Sequence, residues 1–183
     1  MYPRFGGGFY LTVGVCGEYR LKTMPMNFFD SAGLTLNLVH VVEEVIRFMK
    51  ADPKRAYKVI IGTDSMGLSS GRADFVTAVV VHRVGNGGRY FWRRLDVGRF
   101  HTLRDRIIRE VLLSIEVAQE LLLVLKEKAS DIPWDFEIHA DVGENGATNA
   151  MIQEVVGMIR ANNFEVKTKP NSYAASKVAD RHT

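Results

Sequence analysis

Cysteine is all but missing from the 183-residue chain, where Cys16 stands alone. One cysteine excludes an intrachain disulfide and any cysteine-rich zinc centre, and it fits a reducing compartment. Missing too is any apolar run long enough to cross a membrane as a helix. The run Phe9 to Cys16 is short, broken by Gly14 and preceded by a single basic residue, Arg4, which makes a poor signal peptide. Val13-Gly14-Val15-Cys16 lacks the small residue that a lipoprotein site places before its cysteine. A cytoplasmic protein with no membrane association is therefore expected. The triplet Gly6-Gly7-Gly8 has no Gly-Lys-Ser/Thr after it, so it is no P-loop. No internal repeat is visible. Neither sign of charge dominates: 24 Lys and Arg against 21 Asp and Glu leave +3. That balance permits a polyanionic partner without demanding one.

What is present is ordinary for a globular protein, at 46% hydrophobic and 25% charged residues. The length suits one domain, which would bury roughly 70% of the surface its unfolded chain exposes. Residues 1–25 differ from the rest, with sparse charge and no amphipathic period. They read as an arm, either loosely attached and disordered or a non-native extension ahead of a start at Met24 or Met26. Residues 26–183 form the domain proper, including an additional N-terminal helix at about 35–50, whose Leu38, Val41, Val42, Val45, Ile46 and Met49 recur in threes and fours. Asp52-Pro53 stops that helix.

Lys58 to Ile61 begins a buried strand that ends at Asp64. Phe75 to Val81 and Arg89 to Leu95 follow as strands, joined at Gly85-Asn86-Gly87-Gly88 by an Asn-Gly hairpin turn. Thr102 caps a long helix to about Lys128, striped by Ile108, Val111, Ile115, Ala118, Leu122 and Leu125. A strand from Asp135 to Asp141, a helix capped by Thr148 and running to about Ala161, a short strand Phe164 to Thr168 and a last helix capped by Ser172 complete the chain. A meander passing into αβ units predicts an α/β fold: a mixed five-stranded sheet, with a three-stranded antiparallel meander plus two parallel strands, flanked by helices.

Acidic residues fall at chosen places in that order. By itself Asp64 is a common kind of turn cap. If its strand and the one closed by Asp141 are parallel neighbours, both carboxylates emerge at one sheet edge, where mixed α/β sheets place ligands. Like charges that close repel, and a divalent cation relieves the repulsion. On the long helix, Glu110 lies about 100° from the stripe centre and Glu116 about 140°. Glu110 thus sits at the margin of the buried face, able to turn inward or to pair with Arg106 in solvent, while Glu116 points to water. Asp180 lies near the end of the last helix, beside His182.

A strand-borne Asp opening a meander, a helix Glu, an Asp closing the fourth strand and an acidic residue in the final helix resemble the layout of the ribonuclease H-like superfamily. More narrowly, Ile60-Ile61-Gly62-Thr63-Asp64-Ser65, His139-Ala140-Asp141-Val142-Gly143 and Lys169-Pro170-Asn171-Ser172-Tyr173-Ala174-Ala175-Ser176 resemble motifs of the YkuK-type family of ribonuclease H-related proteins, over roughly residues 27–183. The resemblance implies Asp64, Glu110, Asp141 and Asp180 as an acidic cluster. Such a cluster can hold two Mg2+ or Mn2+ ions about 4 Å apart, a clamp suited to in-line displacement at phosphorus. Hard oxygen donors favour these ions over zinc.

The expectation is a metal-dependent nuclease that hydrolyses phosphodiester bonds in RNA or DNA by a two-metal, carboxylate-based mechanism. His182 is a candidate proton shuttle beside Asp180, and His139 shares the strand face of Asp141. Lys177, Arg181, Arg104 and Arg106 are candidate phosphate contacts, and the loop Gly143 to Gly146 is a candidate phosphate cradle. The alternative is a catalytically idle module of the same fold that binds nucleic acid or a protein partner. Gly62-Thr63-Asp64-Ser65 also resembles the phosphate-gripping hairpin of actin-like and sugar-kinase ATPases, but those proteins need two such domains and this chain has room for one.

Overall fold

The computed structural model describes residues 26–67 and 71–183, so the expected arm at 1–25 lies outside the described residues. Two short strands, β1 (Asn27–Phe29) and β2 (Thr35–Asn37), lead into helix α1 (Leu38–Lys50). The meander follows as β3 (Tyr57–Gly67), β4 (Arg72–Arg83) and β5 (Gly88–Arg99), and then the long helix α2 (Leu103–Lys128). Strand β6 (Trp134–His139), helix α3 (Ile152–Ala161) and strand β7 (Glu165–Lys167) come next. The chain closes on a π-helical stretch, Ala174–Ala179, that tightens into a 3-10 turn at Asp180–His182.

The strands form one sheet in the order β2-β1-β5-β4-β3-β6-β7. Its five principal strands are those expected: β3, β4 and β5 pair antiparallel, and β6 and β7 extend β3 in parallel. Strands β1 and β2 enlarge it to seven at the meander edge, where Phe29 pairs with Trp92. Because β2 takes residues 35–37, α1 starts later than expected, with the Asn37 side chain accepting from the His40 N–H at 2.9 Å. All six periodic apolar residues of α1 are buried.

Strand alternation sorts the sheet into two faces. Val59 and Ile61 of β3, Val79 and Val81 of β4 and Ile138 of β6 meet α1, α2 and α3 in one large core. Ile60 and Val80 turn the other way and pack under Ala174, while Val76 and Ala78 pack under Ala179. Covered on both sides, the middle of β4 reads as an unbroken apolar run, as a central strand must. The C-terminal segment can lie this close because of Gly62. A Cβ there would stand 2.5 Å from the Ala175 backbone nitrogen and 2.9 Å from the Ala174 carbonyl carbon.

Three local expectations are corrected. The β4–β5 connection is a four-residue loop, Val84 to Gly87, in place of a two-residue Asn-Gly turn. Gly85 and Gly87 take φ 78° and 71°, conformations that cost glycine little, and the Asn86 N–H bonds the Arg83 carbonyl at 2.9 Å. Thr148 does not cap α3, since its hydroxyl accepts from the Gly143 N–H at 3.2 Å and a 3-10 turn, Asn149–Met151, precedes the helix. Ser172 does not cap the last helix by its side chain; its hydroxyl is buried without a partner among the described residues, and its carbonyl accepts from the Ser176 N–H and hydroxyl, both at 3.1 Å.

Candidate active site

Unequal strand lengths create the site. Strand β3 pairs with β4 all the way to Gly67, whereas its pairing with β6 stops at Gly62 opposite His139. Asp64 therefore lies within β3, two positions past that last rung, on an edge that β6 no longer covers. Asp141 lies two positions past His139, at the matching height on the departing chain. The two carboxylates come close enough to repel. Burial, followed by the negative charge of Asp141, raises Asp64 to about 6, with Asp180 adding to the effect and Lys169 opposing it.

Glu110 reaches the same place from α2. Residues Thr63 and Ser65 alternate with Asp64 and face the helix. The Ser65 hydroxyl donates to Glu110 Oε1 at 2.5 Å. Glu110 is only 4% exposed, well inside the helix face at whose margin the apolar periodicity placed it. The buried face is wider than that periodicity indicated, because Ser114 is also buried and serves as its polar floor. Ser114 donates to Thr63 Oγ1 at 2.8 Å, and Thr63 shares a 3.0 Å hydrogen bond with Thr77. A small cavity between β3, β6 and α2 is bordered by Thr63, Ser114, Glu110, His139 and Asp141. Burial raises Glu110 to about 8; the Ser65 hydrogen bond and Arg106 oppose the shift, and the charges of Asp64 and Asp141 reinforce it. Glu116 lies elsewhere, half exposed beside Arg93 at 3.4 Å.

Asp180 is exposed at the start of the last turn, and its charge is felt at Asp64. The charges of Asp141 and Asp180 thus reach Asp64, and those of Asp64 and Asp141 reach Glu110. His182 does not join them. Its ring stacks on Trp92 of β5, with centroids 4.2 Å apart and planes 7° from parallel. Trp92 pairs with Ala78, which pairs with Gly62, so this ring lies two strands away from β3, about 10 Å by ordinary strand spacing. Burial, then Arg181 and Arg94, keep the imidazole below its usual pKa.

His139 is structural. It is 1% exposed, and its Nδ1 accepts the Ala174 N–H at 3.2 Å, which leaves the proton on Nε2 facing Glu137 at 3.2 Å. Glu137 is held in turn by Lys58 at 2.6 Å. This chain of contacts ties the C-terminal segment to the end of β6. Among the candidate phosphate contacts, Arg104 is engaged with Glu154 of α3, and the Gly143 N–H is taken by Thr148. Lys177 and Arg181 are exposed. Arg106 borders both Glu110 and the end of β3, where a Cβ at Gly67 would stand 2.8 Å from its Nη1.

Two neighbours of the acids carried no assigned role in the sequence. Ser65 follows Asp64 directly, and strand alternation alone turns it towards α2. Lys169 lies two residues past β7, and its Nζ is 2.8 Å from Asp141 Oδ2. Asp141 Oδ1 is buried and has no hydrogen-bond partner among the described residues.

The ribonuclease H-like family model matches residues 40–183. The chain belongs to the ribonuclease H-like family. It is also similar to an uncharacterised protein of Bacillus subtilis (strain 168) named YkuK, with 32% identity over 166 residues, covering 85% of this chain and 96% of the relative. For a ribonuclease H-like chain, these side chains suit a divalent cation by chemistry: hard oxygen donors, crowded like charge and an orphaned Asp141 oxygen. Even so, no three His, Cys, Asp or Glu side chains among the described residues form a ready-made metal site. Ser65 engages Glu110 and Lys169 engages Asp141.

Proposed function

We propose that this protein hydrolyses phosphodiester bonds in RNA or DNA, using Mg2+ or Mn2+ held on Asp64, Glu110 and Asp141, with Asp180 at the rim. The observation that carries the reading is the burial of Asp64 and Glu110 within reach of each other's charge and of that of Asp141, which costs stability unless a cation is taken up. A bound divalent cation would supply an activated water and charge stabilisation at the leaving oxygen. The chain's own residues set the rest. Ser65 fixes Glu110 on the helix side of β3, the Thr63–Thr77–Ser114 hydroxyls satisfy the polar floor, and His139 anchors the segment carrying Asp180, whose charge is felt at Asp64. Exposed Lys177 and Arg181 lie on that same segment, where phosphates flanking the cut would be met.

The test is cleavage of single- and double-stranded RNA and DNA and of hybrids in Mg2+ or Mn2+, with Asp64→Asn alongside. Activity should depend on the ion and fall at least about a hundredfold in the variant. Cleavage that survives the substitution overturns the assignment. The lack of a ready-made three-ligand site among the described residues favours a second reading, a module of this fold that binds nucleic acid or a protein partner without cutting. Retention of nucleic acid with no cleavage and no uptake of Mn2+ would select it.

A further inference from the structure

The motif Lys169-Pro170-Asn171-Ser172 has no part in the proposal above, yet it delivers a cation to the acids. Lys169 Nζ sits 2.8 Å from Asp141 Oδ2, and the same positive charge favours the ionised form of Asp64. A long surface lysine would ordinarily lose such a contact to solvent and side-chain entropy. This one is anchored at its backbone and its stem follows a neighbouring glycine. Its backbone N–H donates to the Val142 carbonyl at 2.9 Å, stitching it to the residue after Asp141. Its stem lies over Gly143, where a Cβ would stand 2.8 Å from Lys169 Cβ and 3.4 Å from Cδ. Gly143 thus leaves room for the stem as it runs back towards Asp141.

Resting on the nuclease reading, we propose that Lys169 is a fixed positive charge of the active site, and that the site takes up one divalent cation where the four carboxylates alone would accommodate two. The geometry divides the acids accordingly. Asp141 Oδ2 is committed to the ammonium and Glu110 Oε1 to the Ser65 hydroxyl, while Asp141 Oδ1, the Asp64 carboxylate and Glu110 Oε2 are left to the ion. The side chain of Lys169 remains 47% exposed, so the ammonium can also meet a phosphate oxygen of a bound strand. Its role is electrostatic, and no covalent step passes through it.

The experiment is calorimetric titration of the full chain with Mn2+ at pH 8, beside Lys169→Met and Lys169→Arg. One ion per chain is expected for the wild type and for K169R, which keeps the charge. In K169M either a second ion enters or the single ion binds about tenfold tighter, because a neighbouring positive charge has gone. Circular dichroism melts identify any variant that has lost its fold, and K169R keeps the comparison informative in that event. Two ions in the wild type, none, or identical titrations of wild type and K169M overturn the proposal. The readout is ion stoichiometry, so a chain that cuts nothing can still confirm Lys169, and an active nuclease can still refute it.

Discussion

At Glu110 and Asp64 the protein works against its own stability. Carboxyls whose folded pKa lies above the unfolded value bind protons more readily in the folded chain. Their contribution is fully present below the ordinary values of 4.5 and 3.8, and is lost as pH climbs towards about 8 and about 6. Without metal, stability should therefore decline from pH 5 to pH 8. Glu110→Gln keeps an acceptor for the Ser65 hydroxyl and removes the buried charge. It should raise metal-free stability at pH 8 by on the order of 1–2 kcal/mol and flatten the pH dependence. Urea unfolding at pH 5.5 and pH 8 measures this, and a variant as pH-sensitive as the wild type would contradict it. Such a trade of stability for poised charge is expected of the cation site proposed above.

Among the elements, the C-terminal segment depends most on one small residue. It crosses β3 at Gly62 with backbone against backbone, and a methyl group there meets atoms that cannot swing aside. Gly62→Ala should cost about 1–3 kcal/mol. Hydrogen exchange should quicken across residues 172–182, since the segment carrying Asp180 must lift. Gly157 is the internal control, as a Cβ at that position on α3 meets nothing within 4 Å. Gly157→Ala should stabilise by about 0.5–1 kcal/mol through helix propensity alone. Equal effects of the two substitutions would show that the close crossing at β3 is not maintained in solution.

For the molecule as a whole, the proposed site would tie stability to ion binding. The first acid comes from β3, the second from α2, the third from the chain leaving β6 and the fourth from the C-terminal segment. An ion shared among them, as proposed, would link both faces of the sheet and should raise the unfolding free energy of the entire domain. At a free concentration 100 times its Kd, Mn2+ should add about 2.7 kcal/mol. The gain should be greater at pH 8 than at pH 5.5, because at the lower pH the ion must displace protons from Asp64 and Glu110. Thermal melts at the two pH values test this, and a Mn2+ shift equally large in Asp64→Asn would place the ion elsewhere. No helix among the described residues is long and apolar enough to cross a membrane.

Much of this was legible in the amino-acid order, because it rests on periodicity and local chemistry. The α1 stripe from Leu38 to Met49, the Thr102 cap of α2 and the order of the five principal strands all follow from spacing that any solvent-exposed chain must respect. The placing of Asp64 and Asp141 at one sheet edge was legible for the same reason, whereas joining Glu110 and Asp180 to them rested on the family resemblance. Contacts between distant parts of the chain were not. Nothing near Lys169 indicates that its ammonium returns to Asp141, and nothing near Gly62 indicates that a backbone crosses it more than a hundred residues later. The depth of Glu110 was hidden because Ser114 and Thr63 are polar residues that only tertiary packing could bury as partners. His182 looked like a neighbour of the acids by its place beside Asp180, and the turn of the chain laid it on Trp92 instead. Spacing along the chain determined which residues could share a face; strand length, crossing distance and buried partners decided which of them meet.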